Sequence, residues 1–97
     1  MRMMVTVELD TPTANQAISN GTIAKVLPQI MEQLRPEAAY FLPLGGRRGV
    51  VLFVDVPDPS AIVTTSEQFW IQMNAKVEMT PCMSADELEE GIRRLTA

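Results

Sequence analysis

Residues 49–56, with the sequence GVVLFVDV, constrain the fold of this chain more than any other segment does. Five large apolar side chains follow one another from Val50 to Val54, and Asp55 is the only charged residue of the segment. Because successive side chains of a strand point to opposite faces, both faces of this segment are apolar. A strand of this kind needs cover on both sides. We therefore expect it in the centre of a β-sheet.

The rest of the pattern predicts strands and helices arranged around this strand. Asn20-Gly21 and Pro28 are expected to break or kink the first helical region, and Gly45-Gly46-Arg47-Arg48 is typical of a hairpin connection. The predicted elements are, in chain order, a strand at 2–9, a helical region at 15–34 whose better half begins at 22, strands at 38–43 and 49–56, a helix at 58–73, a strand at 75–80 and a helix from 84.

The starts of the last two helices carry the sharpest local signals. Asp58-Pro59 combines a favoured N-cap residue with a proline at the first helical position. Ser84-Ala85-Asp86-Glu87 is a capping box, in which Ser84 and Glu87 each accept a hydrogen bond from the other's amide. In contrast, Asp10-Thr11-Pro12-Thr13 is interpreted as a break after the first strand.

The side chains expected to face inward from the helix at 58–73 are Ile62, Phe69 and Met73.

The order β-α-β-β-α-β-α predicts an α+β fold, the ferredoxin-like split βαβ arrangement with one extra C-terminal helix. Two right-handed crossovers give a four-stranded antiparallel sheet with the first and third strands in the centre. Helices can cover only one face of such a sheet. The other face carries Met4, Thr6, Phe53 and Glu78 and is too apolar to stay fully wet. We expect a second subunit on it, so that the protein is a homodimer or a higher oligomer.

Composition excludes several classes of function. The 97 residues suit one domain, 1–97, and the net charge of −4 argues against a nucleic-acid partner. Without histidine there is no catalytic triad or His-based metal site, and with Cys82 as the only cysteine there is no intrachain disulfide. No cofactor and no metal are expected. The N-terminus does not suit a signal peptide and no segment suits a membrane span, so we expect a cytoplasmic protein.

The polar sides of the first and fourth strands offer one candidate site. If these strands are antiparallel neighbours, Glu8 lies near Lys76, and Thr6 lies near Glu78. A carboxylate beside a pocket can take a proton next to a carbonyl, and a lysine can stabilise the resulting enolate. Glu8 is therefore a candidate catalytic base, with Thr6, Lys76 and Glu78 as candidate substrate-binding residues. The competing interpretation is an exposed cross-strand ion pair.

Two further residues are candidates for catalysis. Asp55 interrupts the most apolar strand, and a buried carboxylate would have the perturbed pKa of a general base. Alternatively, Asp55 reaches solvent at the end of its strand, where it caps the next junction or pairs with Arg2. Tyr40 is the only phenol and could donate to a ligand carbonyl, although a strand tyrosine often packs with its hydroxyl at the surface.

Two other features favour structural roles. The segment Gly45-Gly46-Arg47-Arg48 could form an anion-binding nest, but it lacks the spacing and ending of a phosphate-binding loop, and a hairpin turn explains it better. Cys82 has no histidine to activate it and is interpreted as a small, partly buried packing residue.

The segments Val5-Thr6-Val7-Glu8-Leu9 and Phe53-Val54-Asp55-Val56-Pro57-Asp58-Pro59-Ser60, with the short strand after Phe69-Trp70, resemble the dimeric α+β barrel proteins. Within these, the chain is similar to the muconolactone isomerase group and to small bacterial proteins of no established activity. The resemblance implies a homodimer with two sheets face to face. It also implies a small-molecule pocket between sheet and helices or at the barrel mouth, and small lactones or aromatic-derived metabolites as substrates.

Three functions follow as hypotheses. The first is a small-molecule-binding protein that performs cofactor-free proton transfer, such as isomerisation, with Glu8 or Asp55 as the base. The second is a non-catalytic oligomeric protein that binds a ligand or serves as an accessory. A cofactor-free monooxygenase of the same superfamily is a variant of the first. An open pocket with Glu8, Asp55 or Tyr40 turned inward would favour catalysis.

Overall fold

The computed structural model describes residues 1–96, which form one antiparallel sheet and four helices. The strands are β1 (Arg2–Glu8), β2 (Ala38–Leu44), β3 (Arg47–Asp55) and β4 (Lys76–Pro81). The helices are α1 (Thr11–Ser19), α2 (Ile23–Leu34), α3 (Ser60–Met73) and α4 (Ala85–Thr96). The strand order is β2-β3-β1-β4, so β3 and β1 are central, as predicted. This is the strand order of a ferredoxin-like fold, and the predicted fold class is confirmed.

The core lies between one face of the sheet and the helices α1, α2 and α3. Alternate residues of β1 point into it, and each directly opposite residue of β3 shares the same face. Phe69 of α3 and Ile30 of α2 are completely buried against these strands. Burial of each such side chain stabilises the fold by about 1.5–3 kcal/mol. The buried apolar residues are Met3, Val5, Val7, Leu9, Ala14, Ile30, Val50, Leu52, Val54, Val56, Phe69, Met73 and Ala75.

The opposite side of the sheet, which we call the outer face, has no helix packed on it. In β1 and β3 it carries Met4, Thr6, Val51 and Phe53, all only partly exposed. From β2 it carries Tyr40, which is 61 % exposed. The predicted apolar outer face is therefore present in the described part of the chain, and it is open.

Helix α1 begins four residues earlier than the periodicity predicts, and the interpretation of residues 10–13 as a break is wrong. Asp10 is the N-cap of this helix, because its side chain accepts hydrogen bonds from the amide and the hydroxyl of Thr13, at 3.2 and 2.6 Å. Pro12 lies in the first turn, where a missing N–H costs nothing. The helical region breaks at residues 20–22, where Gly21 has a φ of +77°, while Pro28 lies inside the continuous helix α2.

The hairpin between β2 and β3 is tighter than predicted. Gly45 and Gly46 alone form the turn, with φ angles of +57° and +82°, a combination that the two-residue hairpin turn requires and glycine adopts without strain. Arg47 and Arg48 therefore belong to β3 instead of the connection. Next to this turn, Gly49 passes so close to Leu44 that a Cβ atom would lie 2.4 Å from the Leu44 side chain.

The inward face of α3 also differs from the prediction in one residue. Phe69 and Met73 are buried as expected, but Ile62 is 39 % exposed, and Thr65 and Ser66 are buried in its place. Both side chains are small, and within residues 1–96 no buried polar side-chain atom lacks a hydrogen-bond partner.

Helix α4 begins with the predicted capping box. The Ser84 amide donates to the Glu87 carboxylate at 2.9 Å, and the Glu87 amide donates to the Ser84 hydroxyl at 3.2 Å. No residue of α4 is buried, and the apolar stripe of Leu88, Ile92 and Leu95 faces solvent. The N-terminus of α4 is thus capped by residues of its own first turn, but the helix is not packed on the core.

Candidate functional site

An apolar groove of about 800 Å³ lies between α1, α2 and the β2–β3 hairpin. We call it the hairpin groove. Its size suits a small molecule, since ligand pockets usually measure about 300–1,000 Å³. Its lining consists of Leu9, Thr11, Asn15, Ile18, Ile23, Leu27, Phe41, Leu42, Pro43, Gly46, Arg47, Arg48, Gly49 and Val50.

Local features of the chain explain why this groove stays open. Phe41 lies opposite the buried Val50 and so belongs to the helix-facing side of β2, yet it is 60 % exposed. Helix α1 ends at Ser19 and α2 starts at Ile23, and the intervening turn is held by the Asn20 side chain, which accepts from the Thr22 amide at 2.9 Å. In the described part of the chain, neither helix covers the end of the hairpin. A space therefore remains between the hairpin on one side and α1 and α2 on the other.

Among the described residues that line the groove, Arg47 and Arg48 are the only charged ones. Arg48 is fixed at both its backbone and its side chain: its carbonyl accepts from the Leu9 amide at 2.9 Å, and its guanidinium donates to the Asn15 side chain at 2.8 Å. Arg47 is the first residue of β3. Its charge contributes, after the hydrogen bonds from Thr13, to holding the pKa of Asp10 below its ordinary value.

A second, smaller hollow lies on the outer face where β1 pairs with β4. It measures about 180 Å³ and is lined by Thr6, Glu8, Leu44, Gly45, Lys76 and Glu78. We call it the β1–β4 hollow. The strand register places Glu8 directly opposite Lys76, and Thr6 directly opposite Glu78, as the sequence predicted. The four candidate residues on these strands thus lie together.

The ion pair in the β1–β4 hollow differs from the one that the sequence suggested. The Lys76 ammonium lies 3.1 Å from the Glu78 carboxylate, its neighbour on β4, and these side chains are mostly exposed. Among residues 1–96, no ion pair joins Lys76 to Glu8. The Glu8 carboxylate is half-buried and lies beside the turn, close enough that a Cβ on Gly45 would be 3.9 Å from it.

Asp55 and Tyr40 do not join this group. The Asp55 side chain is 78 % exposed and accepts a hydrogen bond from the Met1 ammonium at 3.0 Å. Asp55 is therefore not a buried carboxylate; it reaches solvent at the end of its strand, which is the alternative that the sequence also offered. Asp55 lies opposite Arg2 in the register, but the Arg2 guanidinium pairs with Glu37 and Glu87 instead. Tyr40 lies exposed on the outer face and lines neither cavity.

Two ion pairs of Arg2 connect β1 to the segment before β2 and to the first turn of α4. The Arg2 guanidinium donates to the Glu87 carboxylate at 2.7 Å and to the Glu37 carboxylate at 3.3 Å. The Ser84 amide and then Arg2 hold the pKa of Glu87 below its ordinary value, and the two carboxylates raise the pKa of Arg2. These groups are exposed and line neither cavity, so they serve to attach α4.

The residues that line the hairpin groove were not predicted from the sequence, although the family resemblance implied a pocket between sheet and helices. Ile18, Ile23, Leu27 and Phe41 have the apolar character of core residues, and nothing in their spacing separates a cavity wall from a packed core. A signal did exist in Arg47 and Arg48, two cations beside an apolar strand in an acidic chain. Because these two residues were assigned to the hairpin turn, they were not recognised as part of a groove.

Comparison of the chain with protein families, with curated proteins and with solved structures found no match in any of the three. In the described range 1–96, no helix is long and apolar enough to cross a membrane. Within the same range, no cluster of three or more Cys, Asp or Glu residues is placed to hold a metal ion.

Proposed function

We propose that this protein binds a small, largely apolar molecule in the hairpin groove. The observation that carries the proposal is the groove itself: about 800 Å³ lined mainly by apolar side chains in a chain of 97 residues. Exposure of these side chains to water is unfavourable by about 25 cal/mol for each Å². A ligand that covers Phe41 and Ile18 would remove this cost. The groove also lies between sheet and helices, where the family resemblance implies a pocket.

A second candidate function is cofactor-free proton transfer on a small lactone or aromatic-derived metabolite, as in the muconolactone isomerase group. The observation that favours it is the β1–β4 hollow, which brings Glu8, Lys76, Glu78 and Thr6 together. Glu8 would be the base, and Lys76 would stabilise the developing enolate. The hollow is too small and too open to enclose a substrate in one chain, so this function requires a second subunit over the outer face.

A homodimer in the cytoplasm is the assembly that we propose. Two unpartnered apolar surfaces of the chain support it: the outer face, with Tyr40 and Phe53, and the stripe of α4. A helix of twelve residues is marginal in water unless its apolar side packs on something. A second copy placed over the outer face would supply both a sheet and a helix to cover these surfaces.

The binding function is tested with a neutral naphthalene dye, phenylnaphthylamine, whose fluorescence rises in apolar surroundings. We expect saturable binding to the wild-type protein. Ile18→Trp fills the groove from its rim, where Ile18 is 47 % exposed, and should weaken the binding. The matched control is Ile71→Trp, because Ile71 is 78 % exposed on α3 and does not line the groove. Equal binding by the wild type and by both variants would contradict the proposal.

A further inference from the structure

We infer that the ligand of the hairpin groove is an amphiphilic anion, with an apolar body against the groove wall and one acidic head group at Arg47 and Arg48. This inference rests on the proposed binding function and specifies the class of ligand. It follows from the distribution of charge around the groove.

The groove lining contains both cations of β3 and no acidic residue. The chain as a whole has twelve acidic residues against eight basic ones, so a site with the opposite balance is distinct from the rest of the surface. An anion meets net repulsion from the chain as a whole. At the groove it meets the charge of Arg48, on the helix-facing side of β3 beside the apolar wall, and that of Arg47 at the rim, where the register places Arg47 opposite Leu44.

The two guanidinium groups can also donate further hydrogen bonds. Each can donate five hydrogen bonds, and among residues 1–96 the only side-chain acceptor bonded to either of them is Asn15, on Arg48. Within the same range, no carboxylate lies within ion-pairing distance of Arg47 or Arg48. The nearby Asp10 carboxylate accepts both hydrogen bonds from Thr13 at one oxygen; Arg47 is close enough to help lower its pKa, but within residues 1–96 the two groups form no ion pair.

The position of Arg48 is set before any ligand arrives. Its backbone is paired with Leu9, and Asn15 of α1 holds its guanidinium at the groove. Arginine forms paired hydrogen bonds with planar or tetrahedral oxyanions, and such charge-assisted bonds are stronger than those between neutral groups. The apolar lining would contact the apolar body of the ligand, and the arginines would bind its acidic head group.

The test compares two dyes that share one aromatic body. Anilinonaphthalene sulfonate carries a sulfonate, which stays anionic, and phenylnaphthylamine does not. We expect the sulfonate dye to bind the wild type at least about tenfold more tightly than the neutral dye. Ile18→Trp should weaken both dyes, since both bodies would occupy the groove.

The charge variant is Arg47→Gln/Arg48→Gln, and its matched control is Arg93→Gln/Arg94→Gln, which removes the same charge from α4. The first variant should reduce the affinity for the sulfonate dye by about tenfold and leave the affinity for the neutral dye unchanged. The control should change neither affinity. In the wild type, raising NaCl from about 50 to about 500 mM should weaken the sulfonate dye alone. The salt dependence is measured on the wild type, so it tests the proposal even if the double substitution impairs folding.

The possible outcomes separate the two proposals. If neither dye binds, or if Ile18→Trp affects neither, the binding function itself is wrong. If both dyes bind in the groove with equal affinity, and neither salt nor the Arg47→Gln/Arg48→Gln variant changes the affinity of the sulfonate dye, the binding function stands and the anionic ligand is wrong.

Discussion

The guanidinium of Arg2 donates a 2.7 Å hydrogen bond to the carboxylate of Glu87, and thereby joins the first strand to the last helix. The same carboxylate accepts from the Ser84 amide and completes the capping box. Glu87 thus has two roles at once: it starts α4 and attaches it to the sheet. Since α4 has no buried residue, these polar contacts and the backbone bond from the Cys82 amide to the Arg2 carbonyl are what hold its start in place.

This arrangement predicts a loss of helix in acid. The folded-state pKa of Glu87 is lowered, so its contribution is complete above the ordinary carboxylate pKa and disappears as the pH falls through the lowered value. We expect the helical Cα chemical shifts of α4 to decrease as the pH is lowered from about 5 to about 3. In Glu87→Gln, where the side chain still accepts from Ser84 but cannot titrate, much of this change should be absent. Glu89→Gln is the control and should follow the wild type; identical titration of α4 in all three proteins would refute the role of Glu87.

The contact between Gly49 and Leu44 predicts that Gly49→Ala destabilises the fold. The added Cβ would lie 2.4 Å from Leu44, so the side chain or the hairpin must shift. We expect the free energy of unfolding to fall by about 1–3 kcal/mol, measured by urea denaturation. Adding Leu44→Ala should restore part of the loss, because it removes the clashing atoms.

Gly91→Ala is the matched control for this substitution. Nothing lies within 4 Å of a Cβ at Gly91, which is in the middle of α4. Alanine should therefore stabilise the helix by up to about 1 kcal/mol. If both alanine variants had the same stability, close packing at Gly49 would not be the cause.

The second candidate function, proton transfer in the β1–β4 hollow, predicts a specific effect of Glu8→Gln. Gln keeps the size of the side chain but cannot take a proton, so turnover of a lactone substrate should fall by about 10²–10⁴-fold. The measurement is the rate of isomerisation of a panel of small lactones, with Glu32→Gln, on the exposed surface of α2, as the control. Substrate turnover that survives Glu8→Gln would remove Glu8 from the mechanism.

The proposed homodimer predicts that acidic substitutions in the apolar stripe of α4 weaken the association of the two subunits. We expect the wild type to sediment as a dimer at micromolar concentration, and Ile92→Asp/Leu95→Asp to shift it toward monomer without loss of the sheet, because α4 is not part of the chain's own core. The control is Glu89→Gln/Glu90→Gln on the same helix. A wild type that sediments as a monomer would exclude the dimer, and a dimer unaffected by the acidic pair would exclude α4 from its interface.

The fold was predictable from the sequence because its signals are local. The apolar run from Val50 to Val54 indicates a central strand without reference to other elements, and Ser84 and Glu87 cap a helix by bonds within one turn. The β1–β4 hollow was predictable for a related reason: once β1 and β4 are antiparallel neighbours, the register alone brings Glu8 opposite Lys76.

The hairpin groove was not predictable, because it depends on tertiary geometry. Whether Phe41 is core or cavity wall is decided by how far α1 and α2 extend over the hairpin, and no pattern within β2 contains that information. For Asp55 the sequence left two interpretations open, and its position in the strand decides between them. It is the last residue of β3 and reaches solvent there, and its partner is Met1 instead of the predicted Arg2.

The strand order β2-β3-β1-β4 leaves two open edges, and the composition of those edges affects how the protein behaves when concentrated. Pro43 in β2 and Pro81 in β4 each lack the N–H that a further strand would need, and Lys76 and Glu78 add charges along β4. Strands from other molecules are thus discouraged from extending the sheet sideways into a fibril. The apolar outer face can therefore stay open without the sheet edges adding a second route to aggregation.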